Sequence, residues 1–263
     1  MWSVVTLGVL LLYFNISVRL KVGLPRSVHS DLSAKCTGIL SPDHIEHIAD
    51  GVVNSYKFNS SEPPSLYVLL GGPGSGKGIA YSALHRSTSN SSNKSTPFLL
   101  HGLDEYLLFH PDYDRLFQNR LFVYRTAADS CYPSILPLAR RVRDLALAQR
   151  ISLVYEETGK DLIRLQDRVL APFVNAGYKI IGILVETDPD VAVLRARQRF
   201  LSSGRYASEK YTRSSFPDSK SIKQLFVSTN HMLIICSNDC RHRRGSALAK
   251  AFMENCFVCD GAL

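Results

Sequence analysis

Short apolar runs alternate along the chain with stretches of helical periodicity. Leu66-Tyr67-Val68-Leu69-Leu70 is continuous apolar sequence ending in glycines, the pattern of a strand buried on both faces. Phe98 to Leu100, Ile151 to Tyr155, Tyr178 to Val185 and residues 231 to 236 repeat it, so five strands are predicted. A helix is predicted from Pro42 to about Asn54, with Ser41 as N-cap, Pro42 at its first position and Asp43 at the positive end of its dipole. Further helices are predicted from Lys77 to about His85, Pro133 to Arg150, Asp161 to about Ala176, Pro189 to about Ser202 and Ala247 to Met253. Asn59 to Pro64 reads as a turn-rich linker, Ser87 to Thr96 as a Ser/Asn-rich surface insertion, and Gly204 to Asp218 as polar and irregular. Strands alternating with helices predict an α/β fold: a parallel sheet of about five strands, helices on both faces, and a ligand at the carboxyl ends of the strands.

The amino terminus departs from this pattern. Trp2 to Phe14 is nearly continuous apolar sequence, extended by Ile16 to Val18, short of the ~20 residues a span needs. No charge precedes it, Arg19, Lys21 and Arg26 follow it, and the first acidic residue is Asp31. Residues 1–30 are therefore set apart as a targeting or anchor segment, with membrane contact expected through residues 2–18. Three readings stay open: a signal peptide with atypical flanks, an organellar transit segment, or an anchor whose following positive charges hold the rest in the cytoplasm. The last two rank above secretion. Asn15, Asn59, Asn90 and Asn93 lie in N-x-[ST] sequons, which matter only if the chain enters a secretory pathway.

With 45% hydrophobic and 21% charged residues, the 263-residue chain is neither disordered nor fibrous. Its 31 Lys+Arg against 23 Asp+Glu give a net charge of +8, which favours anionic partners without choosing among them. The 6 cysteines are too sparse for a disulfide scaffold, and Cys36 and Cys131 read as isolated. Cys236, Cys240, Cys256 and Cys259 have spacing compatible with zinc, but the basic run Arg241 to Arg244 between the pairs disfavours a cation.

The sharpest chemical signal is Gly71-Gly72-Pro73-Gly74-Ser75-Gly76-Lys77-Gly78. It fits the P-loop pattern G-x-x-x-x-G-K between a predicted strand and a predicted helix. Glycines let successive N–H groups wrap phosphates, the helix start adds favourable partial charge, and Lys77 reaches the β/γ-phosphates. Gly78 replaces the Ser/Thr whose hydroxyl normally binds Mg2+. Adenylate kinases resemble the chain at this point, sharing Gly-Pro-Gly-x-Gly-Lys-Gly. Asp104, just beyond the second strand, is placed to accept a proton from a substrate hydroxyl or to hold Mg2+, and also suits a helix N-cap. Arg195 and Arg199 share a helix face by i,i+4 spacing while Arg197 does not, and Arg205 follows the hinge candidate Gly204 in a basic lid at 203–218. Arg199 and Arg205 are the candidates for stabilising charge on a transferring phosphoryl group.

In order and spacing, from about residue 41 to 240, the chain resembles the zeta toxin family of P-loop kinases. The matching pieces are the P-loop, then Asp104, Tyr106, His110, Pro111 and Tyr113, then Glu156, Thr158 and Gly159, then Gly177-Tyr178, the arginine helix and Gly204-Arg205. The resemblance implies that residues 31–263 form one P-loop kinase domain that uses ATP and Mg2+. Known members are bacterial toxins that phosphorylate a sugar hydroxyl of UDP-N-acetylglucosamine, and eukaryotic relatives exist. It implies Lys77 on the phosphates, Asp104 as general base and candidate magnesium ligand, Glu156, Thr158 and His110 at the substrate, and the later arginines on the transferring phosphoryl group. The chain departs from the family at Leu107, where members carry Arg or Lys, and at Glu157, where they carry Gly. The first removes a cationic contact and the second adds negative charge beside the substrate. The acceptor is then a small molecule or nucleotide sugar. A nucleoside monophosphate kinase, a polynucleotide 5'-kinase and a non-catalytic ATP-binding protein are the alternatives. A nucleic-acid partner stays open through Tyr206, Tyr211 and Phe216 among Arg205, Lys210 and Arg213, and the sequence does not set the oligomeric state.

Overall fold

The five apolar runs pair side by side in one sheet. The computed structural model describes residues 36–56, 63–89, 98–113, 124–203, 207–237 and 258–260. Strands β1 (Ser65–Leu70), β2 (Leu99–His101), β3 (Leu153–Glu157), β4 (Lys179–Glu186) and β5 (Met232–Ser237) are parallel, in the order β2-β3-β1-β4-β5. A short strand outside the prediction, β6 (Val258–Asp260), closes the edge antiparallel to β5. Leu66, Val68, Leu69 and Leu70 of β1 and Ile180, Ile181, Ile183 and Leu184 of β4 are buried, as central parallel strands require.

The helices follow local signals. In α1 (Pro42–Asn54) the Ser41 hydroxyl accepts from the His44 N–H, and Ala49 and Val53 turn inward. Next come α2 (Lys77–Ser89), α3 (Leu103–Tyr106) and α4 (Tyr124–Ala148), against which α1 packs. Helix α4 starts ahead of the predicted Pro133: proline marks helix starts, but Pro133 and Pro137 both lie inside this one. Beyond β3, α5 (Leu162–Arg164) runs through a π-helical stretch, Leu165–Leu170, into α6 (Ala171–Asn175), and the chain leaves through Gly177 at φ 73°. Tyr178 then donates its hydroxyl to the carbonyls of Ala146 and Ile151, both at 3.1 Å, fastening the end of α4 to the approach to β3.

After α7 (Pro189–Ser203) the structure corrects the irregular reading of the 204–218 stretch, because α8 (Glu209–Ser214) lies within it. It is followed by α9 (Ser219–Ser228), which is also absent from the periodicity reading. Both carry side-chain caps: Ser208 accepts from the Tyr211 N–H, and Asp218 from the N–H groups of Lys220 and Ser221. Phe226 of α9 lies over Gly182 of β4, where a Cβ would sit 2.5 Å from its ring.

The cysteines also differ from the sequence reading. Cys36 and Cys131, isolated in the sequence, form a disulfide with Cα atoms 5.0 Å apart and a sequence separation of 95. Cys236 is disulfide-bonded too, so it offers no thiolate to the zinc set considered above. Cys240 and Cys256, the helix expected at 247–253, the apolar segment at 2–18 and most of the Ser/Asn-rich insertion lie outside the described residues. Among the described residues no helix is long and apolar enough to cross a membrane.

His101, at the end of β2, is buried, with its Nδ1 2.8 Å from the Tyr106 hydroxyl and its ring 4.6 Å from that of Tyr155. Burial, helped by the positive charge of Arg143, holds its pKa down from 6.5 to about 3. As pH falls below 6.5 the unfolded chain takes up a proton that the folded chain refuses until about 3, so the stability present above 6.5 drains away across that interval. The urea midpoint is therefore expected to fall between pH 6.5 and about 4, and His101→Gln to flatten that fall relative to the unsubstituted chain.

Candidate functional site

The glycine loop joins β1 to α2 at the carboxyl edge of the sheet. Gly71, Gly74 and Gly76 have φ of 150°, 78° and 105°, in the left-handed region that side chains rarely adopt. A Cβ on Gly74 would also collide with the carbonyl of Ala192 in α7. The loop is tied to its surroundings. Thr187, just past β4, donates its hydroxyl to the Ser75 carbonyl at 2.7 Å, and the Gly71 N–H reaches the Glu157 carbonyl at 3.3 Å. Lys77 folds back so that Nζ donates to the carbonyls of Gly71 at 2.7 Å and Gly72 at 3.3 Å.

The loop forms one wall of a cavity of about 580 Å³, to which Gly72, Pro73, Gly74, Gly76, Lys77 and Gly78 all contribute. Ser75 is buried beneath it. Asp104, Glu105, Tyr132, Glu156 and Thr158 line the same cavity, as do Arg195 and Arg199 of α7. Asp104 lies in the first turn of α3, but the cap residue is Gly102, so the N-cap reading does not hold. The Tyr132 hydroxyl donates to Asp104 Oδ1 at 2.5 Å. Glu156 projects from β3 past Gly102, where a Cβ would come within 3.0 Å of its Oε2. Desolvation, and then the charge of Glu156, raise the Glu105 carboxyl above its ordinary pKa. Burial lowers that of the Arg199 guanidinium, opposed by Tyr132 and Glu156. Arg197 turns away to Glu209 at 2.8 Å, as its spacing from Arg195 and Arg199 requires.

Several expected positions are used differently. His110 does not line the cavity. It is 2% exposed, its Nδ1 accepts from the Asp112 N–H at 3.1 Å, and its Nε2 lies 2.9 Å from the Gly38 carbonyl. Its ring is thus committed to holding residues 38 and 112, not a substrate. Leu107 is buried in the core, so its side chain is not a missing cation of the cavity. Glu157 adds no free charge beside a substrate: it accepts from the Thr158 N–H at 3.0 Å and pairs with Arg164 at 3.2 Å. Arg205 lies outside the described residues. Sequence reasoning missed Tyr132 and Glu105, and no local motif marks the former, which meets Asp104 across 28 positions.

A loop of left-handed glycines that any side chain would fill, ending in a lysine at a helix start, suits a nucleotide triphosphate. For magnesium the cavity offers hard oxygen donors, Asp104 among them, but no hydroxyl at position 78.

This sheet order and loop define a P-loop kinase fold. The family profile for zeta toxin matches residues 50–239, and the chain belongs to the zeta toxin family. No curated protein matches it in sequence. Among solved structures it is similar to one from the PezAT chromosomal toxin-antitoxin system of Streptococcus pneumoniae. That likeness has a TM-score of 0.58 and 15% identity over 77% of this chain and 80% of that one. It is also similar to the AvrRxo1-ORF1:AvrRxo1-ORF2 complex with ATP, at TM-score 0.52 and 12% identity over 78% of this chain and 71% of that one. At these identities the likeness concerns the fold.

Two loop glycines should behave oppositely. Gly74→Ala forces a Cβ onto the Ala192 carbonyl at positive φ and should abolish binding of a non-hydrolysable ATP analogue in calorimetry. A Cβ on Gly78 meets nothing within 4 Å, so Gly78→Ser should leave stability within about 0.5 kcal/mol and tighten magnesium-dependent analogue binding.

Proposed function

We propose that this chain is an ATP-dependent phosphotransferase that moves the γ-phosphate to a hydroxyl of a small molecule. The observation that carries the reading is the placement of Lys77, Asp104 and Arg199 around one cavity at the mouth of the glycine loop. The loop N–H groups and Lys77 hold the phosphates. Asp104 takes the proton from the acceptor hydroxyl as its oxygen bonds to the γ-phosphorus. The bond to the β–γ bridging oxygen breaks, and ADP leaves. Arg199 and Arg195 offset charge on the group in transit, with Arg205 proposed to join them from the lid. Glu156 and Thr158 face the acceptor. Magnesium, when bound with the nucleotide, neutralises phosphate charge and would take its oxygens from phosphates and water while the Asp104 carboxylate serves as the base.

Family membership supports a nucleotide sugar such as UDP-N-acetylglucosamine as the first acceptor to offer, with nucleoside monophosphates and 5'-hydroxyl oligonucleotides as the other arms. The toxin–antitoxin origin of one neighbour supports a search for an inhibitory protein partner. The Cys36–Cys131 bridge supports an oxidising compartment, which favours reading residues 2–18 as an export signal or as an anchor that leaves the domain outside the cytoplasm.

The test is transfer from labelled ATP with Mg2+ across that acceptor panel. Lys77→Ala is expected to lower kcat/KM by on the order of 100-fold or more, and Asp104→Asn to lower kcat by roughly 100- to 10,000-fold with the ATP KM little changed. Transfer that survives both substitutions would refute the reading.

A further inference from the structure

Asp104 is held from outside its own helix by a closed ring of ties. Its carboxylate accepts from the Tyr132 hydroxyl at 2.5 Å. Tyr132 follows Cys131, which is wholly buried and bridged to Cys36. The residues after Cys36, Thr37 and Gly38, donate their N–H groups to Asp112 Oδ2 at 3.0 and 2.7 Å. Since His110 Nδ1 accepts from the Asp112 N–H, Nε2 carries the proton and donates to the Gly38 carbonyl at 2.9 Å. From residue 112 the chain leads back through His110 and the Leu107–Phe109 turn to Asp104.

The ring is placed where α4 is weakest. Pro133 and Pro137 have no N–H to give to the carbonyls four residues before them, so the backbone around Tyr132 is short of two helical hydrogen bonds. A tyrosine there needs a hold from elsewhere, and the disulfide at the preceding residue supplies one.

We propose that Tyr132 is the positioning residue of the Asp104 carboxylate, and that the Cys36–Cys131 bridge keeps it in place. The phenol fixes the carboxylate plane through Oδ1, so that the carboxylate meets an acceptor hydroxyl in one orientation. This rests on the reading of Asp104 as the general base.

Two measurements on the full chain separate this inference from that reading. The first is a double-mutant cycle in stability, from urea unfolding of Tyr132→Phe, Asp104→Ala and the pair. It is run with the bridge and again in a Cys36→Ser, Cys131→Ser background. Coupling of roughly tenfold in the folding constant is expected with the bridge, falling close to one without it. Absence of coupling in the bridged chain overturns the proposal, and equal coupling in both backgrounds overturns the part given to the bridge. Should the bridge-free chain not fold, His110→Ala combined with Asp112→Ala opens the ring at its hydrogen-bonded links to residues 37 and 38 and is expected to weaken the coupling. Unchanged coupling there counts against the bridge as well. The second measurement is ATP turnover with water as the acceptor. Tyr132→Phe should lower kcat by about tenfold, leave the ATP KM unchanged, and add nothing to Asp104→Ala. An unsubstituted chain that shows the coupling but transfers phosphate neither to water nor to any member of the acceptor panel sinks the kinase reading. An active chain whose kcat is unchanged by Tyr132→Phe sinks the positioning role instead.

Discussion

A backbone loop can wrap a phosphate chain only if its glycines stay in conformations that other residues reject, and this loop is confined on several sides as well. The Ala192 carbonyl of α7 closes on Gly74, the Val185 carbonyl of β4 approaches Gly71, and the Phe216 ring lies against Gly72. Thr187 pins the loop from beneath through the Ser75 carbonyl. The loop therefore inherits its shape from β4, α7 and the segment before α9, not from its own hydrogen bonds alone. The sheet order makes this confinement work. Strand β1 lies between β3 and β4, so the loop leaving β1 is flanked by the end of β3, which carries Glu156, and by the end of β4, which leads to Thr187 and α7. That central position brings Glu156 and the arginines of α7 to the same cavity as the loop.

The basic excess is more finely divided than a net charge of +8 suggests. Arg213 pairs with Asp190 at 2.6 Å and Glu209 at 3.1 Å, and Arg197 pairs with Glu209. These exposed contacts contribute little to stability, but they commit two arginines to the junction of α7 and α8. Arg195 and Arg199 are the arginines of α7 that reach the cavity. Lys77 and the carboxylates of Asp104, Glu105 and Glu156 line the same cavity, and the charge of Glu156 opposes the fall in the Arg199 pKa.

What was legible in the sequence follows from the range over which each signal acts. Strand burial and the glycine loop are written in consecutive residues, so all five parallel strands and the loop's place between β1 and α2 could be read directly. The caps at Ser208 and Asp218 were equally local, but the basic, polar composition around them concealed the short helices they start. Pro133 misled because its preference for helix starts does not exclude an interior position supported by tertiary contacts. The Cys36–Cys131 bridge and the Tyr132 contact to Asp104 have no local signature, being products of α4 lying between the amino-terminal stretch and α3.

His110, Leu107 and Glu157 carry a further lesson about motifs. All three sit at positions defined by resemblance to the family, and in each case the fold, not the substrate, claims the side chain. His110 is spent on Gly38 and Asp112, Leu107 on the core, and Glu157 on Arg164 and the Thr158 amide. A leucine replacing a cation in a buried turn is a packing solution, because an unpaired charge there would bear the cost of desolvation. A glutamate replacing glycine beside the site is tolerated because an arginine one turn into the next helix neutralises it. Departures from a motif therefore weigh against activity only where the altered side chain faces the cavity. By that criterion Gly78 is a departure that bears on chemistry, since it lines the cavity and carries no hydroxyl.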